Sequence, residues 1–400
     1  MFLTNFSYNT YWAKDPDGVT PKAFVNNYFH ETYGDCRLAF LRGVDRLVSK
    51  YTDTQAGKLY IDNEQRQVID WCYIPQRGTK ERLLILNSGL HGIEGYVGNA
   101  FQCLFMDEVL NSDVLNHVGV LIIHGINPYG FQNGRKTTGN NVDLNRNCLL
   151  TQSDFTYKNA GYAELVSMLM PDERVNLKSD SNRFFLFRSM LKIIKESKSV
   201  MRQAILQGQY EYEKGFCYGG AGHEPHLKEL KILLIDKIRQ YPSMLNIDIH
   251  TAYGERGKIH LFVNRPSNDK VTEVIGEIFK DRKVDWGDSK GFYEIKGDYV
   301  SWVNSLVPET FSIPMLFECG TMNSQTTFGS IKSLQIMILE NQGAHYGFVD
   351  EHTESTVKKQ FREMYYPSSS VWRTLVLSDA QTLLKQTIEG YVNFNPKSVL

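Results

Sequence analysis

The chain has 400 residues, 42% of them hydrophobic and 22% charged, with a formal net charge of −1. This length and balance suit one large α/β domain with insertions, or two domains, and allow a sizeable core. The near-zero charge excludes a global field for nucleic acid or anionic membrane, and the 22 tyrosines and 22 phenylalanines are scattered rather than set out as base-stacking platforms.

The first residues, "MFLTNFSYNTYWAKDPDG", lack a basic stretch followed by an apolar one, and no run of about 20 apolar residues could span a bilayer. Cys36, Cys72, Cys103, Cys148, Cys217 and Cys319 stand far apart with no C-x-x-C, the pattern of buried free thiols in a reducing compartment. Cytoplasmic residence is the resulting expectation. Asp35–Tyr51 has apolar residues at helical spacing. "KLYID" and "VIDWCYIP" read as strands with a turn-like "NEQRQ" between them. "RLLILNSG" has the short apolar run of a central parallel strand. "YVGNAFQCLFMDEVL" reads as the helix after it, and "VGVLIIHGINPYG" as another buried strand ending in a Pro-Gly loop. Alternation of this kind predicts an α/β sheet with crossovers.

Residues 161–240 are helical in pattern and unusually charged, and are expected as a helical insertion against the sheet rather than a separate domain. "SMLNIDIHTAYG", "KIHLFVN" and "IPMLFECGTM" are further strands. Residues 330–400 read as a helical C-terminal extension. The predicted organisation is a single domain over residues 1–400.

Three of the apolar strands end in side chains that can hold a metal or move a proton. These are His91 and Glu94 after "RLLILNSG", His250 in "IDIHT", and Glu318 in "LFECG". In open α/β sheets, ligands bind outside the carboxyl ends of the strands, so the four gather at one edge if those strands are neighbours. A carboxylate inside an apolar strand needs a partner or a metal field. Two histidines and one carboxylate with an open position form the catalytic zinc set, and a further glutamate can move the proton of an activated water. His124, in "LIIHG", competes as a ligand. Gly89, Gly92 and Gly95 are expected to turn the chain sharply and bring backbone close to a metal.

In order along the chain, "HGIE", "NPYG", "GRKTTG", "VDLNRN", "IDIHT" and "LFECG" resemble the pattern of the zinc carboxypeptidase superfamily, the carboxypeptidase A-like fold. "SGLHGIEGYVGNAFQ" and "GQYEYEKGFCYGG" resemble a poorly characterised intracellular bacterial branch of it, a domain of unknown function. The resemblance implies a mixed, mostly parallel twisted sheet flanked by helices, with Zn2+ held by His91, Glu94 and His250. It implies Glu318 as general base, Asp143 as the carboxylate orienting a ligand histidine, and Arg135 as the cation polarising the scissile carbonyl. Asn145 and Arg146 match the pair that grips a substrate carboxylate. The family's substrate-facing tyrosine aligns with Asn304, with Tyr299 the nearest tyrosine. "CYGGAGHEPH" could reach over the site with Tyr218 and His223 as polar contacts.

The activity implied is zinc-dependent hydrolysis of an amide next to a substrate carboxylate, as in a metallocarboxypeptidase. An N-acyl amino acid deacylase of the aspartoacylase or desuccinylase type is the rival enzyme class. A non-catalytic binding module on the same scaffold is the rival outside enzymes. The expected partner is a peptide or N-acyl amino acid with a free carboxylate, with neither nucleic acid nor membrane.

Overall fold

A computed structural model describes residues 13–62, 64, 66–264, 268–287 and 295–396. Its strands are β1 (Gln55–Tyr60), β2 (Val68–Ile74), β3 (Arg82–Ser88), β4 (Gly119–His124), β5 (Ser243–Ala252), β6 (Ile259–Val263), β7 (Val284–Trp286) and β8 (Phe311–Gly320). They form one sheet in the order β1-β2-β4-β3-β5-β8-β6-β7. β4, β3, β5 and β8 run parallel at its centre. The β1–β2 hairpin pairs antiparallel to β4, while β6 pairs antiparallel to β8 and parallel to β7. This is the expected mixed, mostly parallel sheet flanked by helices.

Every residue of β3 is buried, which requires cover on both faces. Side chains alternate between faces along a strand. Leu84 and Leu86 pack with Val97 and Phe101 of the helix Gly95–Leu104. Leu83 and Ile85 pack in a second cluster with Leu230 and Leu234 of the helix Pro225–Ile238 and Val303 of the helix Tyr299–Ser305. The helix read over "YVGNAFQCLFMDEVL" ends in one wide turn, in which Leu110 N–H donates to the Phe105 carbonyl at 2.8 Å. β7 has no counterpart among the strands expected from the sequence. It is three half-buried residues, too short for a period to show. Residues 63 and 65 of the turn-like "NEQRQ" lie outside the described residues.

The helical insertion divides in two. Pro225–Ile238 belongs to the cover of the sheet, whereas Ala160–Leu169, Phe185–Glu196 and Lys198–Leu206 build a separate core with Ile331, Leu334 and Ile338 of the helix Thr327–Tyr346. After Ser330 the chain is integral to the fold. Trp372 is fully buried, and its indole N–H donates to the Gly320 carbonyl at the end of β8, at 2.8 Å. The Tyr391 hydroxyl meets Ser243 Oγ at the start of β5, at 2.7 Å. All six cysteines are buried and free. Among the described residues, no helix is long and apolar enough to cross a membrane.

His124 does not compete for a metal. It stacks on Phe40 at 4.5 Å between ring centroids, and its Nδ1 meets Gln102 Oε1 at 2.9 Å. Burial pushes both His124 and His226 from the ordinary 6.5 down to about 4. Below pH 6.5 the unfolded chain binds protons that the folded chain refuses until about pH 4. Stability is therefore complete above 6.5 and is lost as pH falls towards 4, on the order of 3 kcal/mol per histidine. His226 has no hydrogen-bond partner at either ring nitrogen. A His226→Leu variant should lose less melting temperature than the parent between pH 7 and pH 4.5. Equal losses would refute this account.

Candidate metal centre and its cavity

Because β3, β5 and β8 are adjacent and parallel, their carboxyl ends share one edge. The β5–β8 register sets His250 beside Glu318. His91 and Glu94 come from the turn that leaves β3. That turn starts at Gly89 with φ +70°, a conformation that favours glycine. Gly92 has a different reason. A Cβ there would lie 2.2 Å from Gly130 C and Phe131 N, so the loop after β4 packs directly on its backbone. Gly95 likewise faces the Phe131 ring. Gly92 and Gly95 thus serve contact with the short helix Pro128–Asn133, and of the three only Gly89 makes the sharp turn expected of them.

The Glu94 carboxylate lies between two imidazoles. Its Oε1 is 2.8 Å from His91 Nδ1, and its Oε2 is 3.2 Å from His250 Nδ1. Oε2 also accepts from Thr251 N–H at 2.8 Å. The far side of each ring meets an aspartate: His91 Nε2 is 3.0 Å from Asp143 Oδ1, and His250 Nε2 is 2.7 Å from Asp248 Oδ2. Each ring therefore has a carboxylate at both nitrogens, and a neutral ring that gives its proton to the aspartate side, on Nε2, offers its Nδ1 lone pair to the cluster. Three side chains able to ligate a metal thus converge, with one candidate ligand atom from each of His91, Glu94 and His250 within 4.8 Å of the others and all three residues buried. Such a set repels itself unless a proton or a cation lies among them. Its N/N/O chemistry fits a divalent ion of the zinc type.

The electrostatics agree with that reading. Burial pushes Glu94 up, but the two imidazoles outweigh it and bring the carboxyl down to about 2. Burial pulls His250 down, and Asp248 and Glu94 more than reverse this, so it stands well above the usual histidine range. Asp143 is pushed up by burial and held well below the carboxylate range by Lys136, His91 and Arg146. Lys136 is in turn raised, burial being offset by Asp143, whose Oδ2 lies 2.6 Å from Nζ. Glu318 behaves oppositely. Burial raises it to about 8, with His250 countering and Glu94 and Asp248 adding. Its Oε2 is buried without a hydrogen-bond partner.

A cavity of about 190 Å³ opens on this cluster, lined at its polar end by His91, Glu94, His250, Glu318, Asn145 and Arg146. Lys136 reaches it, as do Arg202, Tyr253 and Tyr365. Its apolar wall comes from the insertion (Met201, Ile205, Leu206) and from the helix Thr327–Tyr346 (Ile331, Leu334, Met337). Arg146 is fixed by its own surroundings, with Nε donating to the Leu206 carbonyl at 2.9 Å and Nη1 to the Asn145 carbonyl at 2.7 Å.

Arg135 is not brought to the cavity. Its Nε pairs with Glu340 at 2.9 Å, and Nη2 donates to Asn141 and Asn341. Glu340 is a buried carboxylate that needs a cation, and the next residue, Lys136, takes the side that faces the cavity. Tyr299 is also elsewhere. It is fully buried in the second core cluster, its hydroxyl donating to Asn87 Oδ1 at 3.1 Å, and Asn304 on the same helix does not line the cavity. Tyr218 and His223 do not reach over the site. The Tyr218 carbonyl accepts from Asp143 N–H at 2.8 Å, and His223 Nε2 meets the Leu149 carbonyl at 2.8 Å.

Sequence reasoning overlooked Lys136, Asp248, Arg202, Tyr253 and Tyr365. Asp248 was findable, because two residues before His250 on a strand is the same face. Tyr365 gave no signal, since only the packing of a distant helix brings it in.

Fold and site together define an α/β protein with a candidate mononuclear metal centre at the carboxyl edge of its sheet. The chain belongs to the family described as "Protein of unknown function (DUF2817)", whose profile matches residues 29–379. No curated protein matches the sequence. Solved structures similar to it include bovine thrombin-activatable fibrinolysis inhibitor in complex with tick carboxypeptidase inhibitor. That likeness has 13% identity and a TM-score of 0.46, covering 83% of this chain and 99% of the other. The carboxypeptidase A from Helicoverpa armigera gives 14%, 0.44, and 84% and 74% coverage. The metallo-carboxypeptidase from Burkholderia cenocepacia gives 12%, 0.41, and 80% and 70%.

Proposed function

We propose that this protein is a zinc-dependent hydrolase that cleaves an amide bond next to a substrate carboxylate. The observation that carries the reading is the convergence of the His91 and His250 imidazoles on the Glu94 carboxylate, each imidazole being backed by its own aspartate. Zinc held by His91, Glu94 and His250 supplies a Lewis acid for the scissile carbonyl and acidifies water.

The chain's own groups do the rest. In its ionised form Glu318 takes a proton from the attacking water and returns it to the leaving amine. Its buried, unpartnered Oε2 supports that role. Lys136, which reaches the cavity where Arg135 does not, takes the part of the cation facing the developing oxyanion. Of the two tyrosines that reach the cavity, Tyr365 takes the role expected of Tyr299, its hydroxyl bonded to the weakly accepting Met337 sulfur at 3.2 Å. Arg146 and Asn145 hold the substrate carboxylate, for which the planar guanidinium is suited. The apolar wall adjoins Arg146 through Leu206, so the group next to that carboxylate is apolar.

The test measures zinc in the purified protein. It then measures chelator-sensitive hydrolysis of C-terminal dipeptides and N-acetyl amino acids bearing leucine, phenylalanine, lysine or aspartate beside the carboxylate. Expected are zinc near one per chain and at least tenfold preference for the apolar members. The better substrate series separates peptidase from deacylase. A folded protein that binds no zinc would leave only the binding module.

A further inference from the structure

The helices Phe185–Glu196 and Lys198–Leu206 have apolar side chains on two faces. Inward, Phe185, Met201 and Ile205 bury in the core shared with Ile331 and Leu334, and Ile193 lines the candidate cavity. Outward, Phe184, Phe187 and Leu191 follow one another at helical spacing and are 45%, 52% and 51% exposed. Met190 and Val200 on the same segment are also exposed. These five are a large share of the exposed large hydrophobics among the described residues, gathered within 17 positions (184 to 200). Beside the apolar stripe, Arg188 and Lys192 follow Phe184 at successive i+4 positions, with Arg188 and Arg183 exposed. From Arg183 to Lys198 the sequence has five lysines and arginines against one acid, Glu196, in a chain of net charge −1, and Glu164 of the neighbouring helix lines the same groove as Arg188 and Lys192. The whole-chain charge conceals this concentration.

We propose that this outer face docks on an anionic lipid bilayer surface, with the helix Phe185–Glu196 lying in the plane of the interface. Aromatic and aliphatic side chains beside a basic stripe match both layers of such a surface, the acyl boundary and the charged headgroups. The inner face, packed in its core, anchors the helix to the body of the protein. A second copy fits the patch poorly, because a twofold contact would set the same cations against each other. The docking stands independently of the proposed hydrolase activity.

The test is co-sedimentation of the full chain with phosphatidylcholine vesicles, with and without about 30% phosphatidylserine. Expected is binding at least tenfold tighter to the anionic vesicles, weakening as salt rises. Phe187→Glu with Leu191→Glu should abolish it at an unchanged melting temperature, since both side chains are exposed, and Arg188→Glu should weaken it. Equal binding to both vesicle types, or full binding by the double variant, overturns the proposal. So does a concentration-dependent dimer that the double variant abolishes without any vesicle binding. Capture of polyglutamate without vesicle binding would assign the face to an acidic partner and equally overturn it.

Discussion

Glu318→Gln is expected to reduce turnover by about a thousandfold while zinc stays bound. General acid–base catalysis contributes about 10²–10⁴-fold, and the amide that replaces the carboxylate can neither take nor return a proton. The substitution keeps the size of the side chain, so the β5–β8 register that sets it beside His250 has no reason to shift. Zinc is retained because Glu318 is not one of the three converging donors. The measurement pairs kcat on the best substrate with zinc content of the same preparation. Near-normal kcat at full zinc would end the assignment of Glu318, whereas loss of zinc would mean that the residue belongs to the metal's own ligands.

Asp143→Ala is expected to cost about 3–5 kcal/mol, the range for breaking a buried ion pair from one side. One carboxylate holds His91 Nε2 through Oδ1 and Lys136 Nζ through Oδ2, and Oδ1 also accepts from Asn145 N–H. Removing it leaves a buried ammonium without its counterion and an imidazole without its tautomer lock. Zinc affinity should fall about 10–100-fold with it. Adding Lys136→Met to Asp143→Ala should restore part of the stability, since the stranded charge is gone, but none of the zinc affinity. Denaturant unfolding and competition with a chelator measure the two effects separately. An Asp143→Ala variant as stable as the parent would show that the pair contributes nothing to the fold.

Much of the sheet was legible because its central strands are short apolar runs ended by glycine or polar residues. Their order was not written in any one of them. That His91, Glu94, His250 and Glu318 share an edge follows from β3, β5 and β8 being neighbours, a pairing between residues far apart in sequence. The choice between Arg135 and Lys136 was illegible for a related reason. Two adjacent cations differ only in which side of the chain they leave from, and that is decided by Glu340, a carboxylate from a helix some 200 residues later (340 − 135). Tyr299 was misplaced because proximity in sequence to Glu318 says nothing about depth. Its ring fills the core beneath the sheet edge, next to Trp302. Asp248 alone among the overlooked residues obeyed a local rule, the two-residue period of a strand.

The helices after β8 carry a consequence for how the protein is made. Met364 and Tyr365, which line the cavity, and Trp372, which bonds the end of β8, all leave the ribosome after every strand of the sheet. Domains generally fold as units during synthesis, which runs at about 5–20 residues per second. For several seconds of synthesis, then, the nascent chain already holds both histidines and both glutamates, while this flank of the cavity has yet to be translated. The cavity around the candidate metal site is therefore complete only once the C-terminal helices have been made.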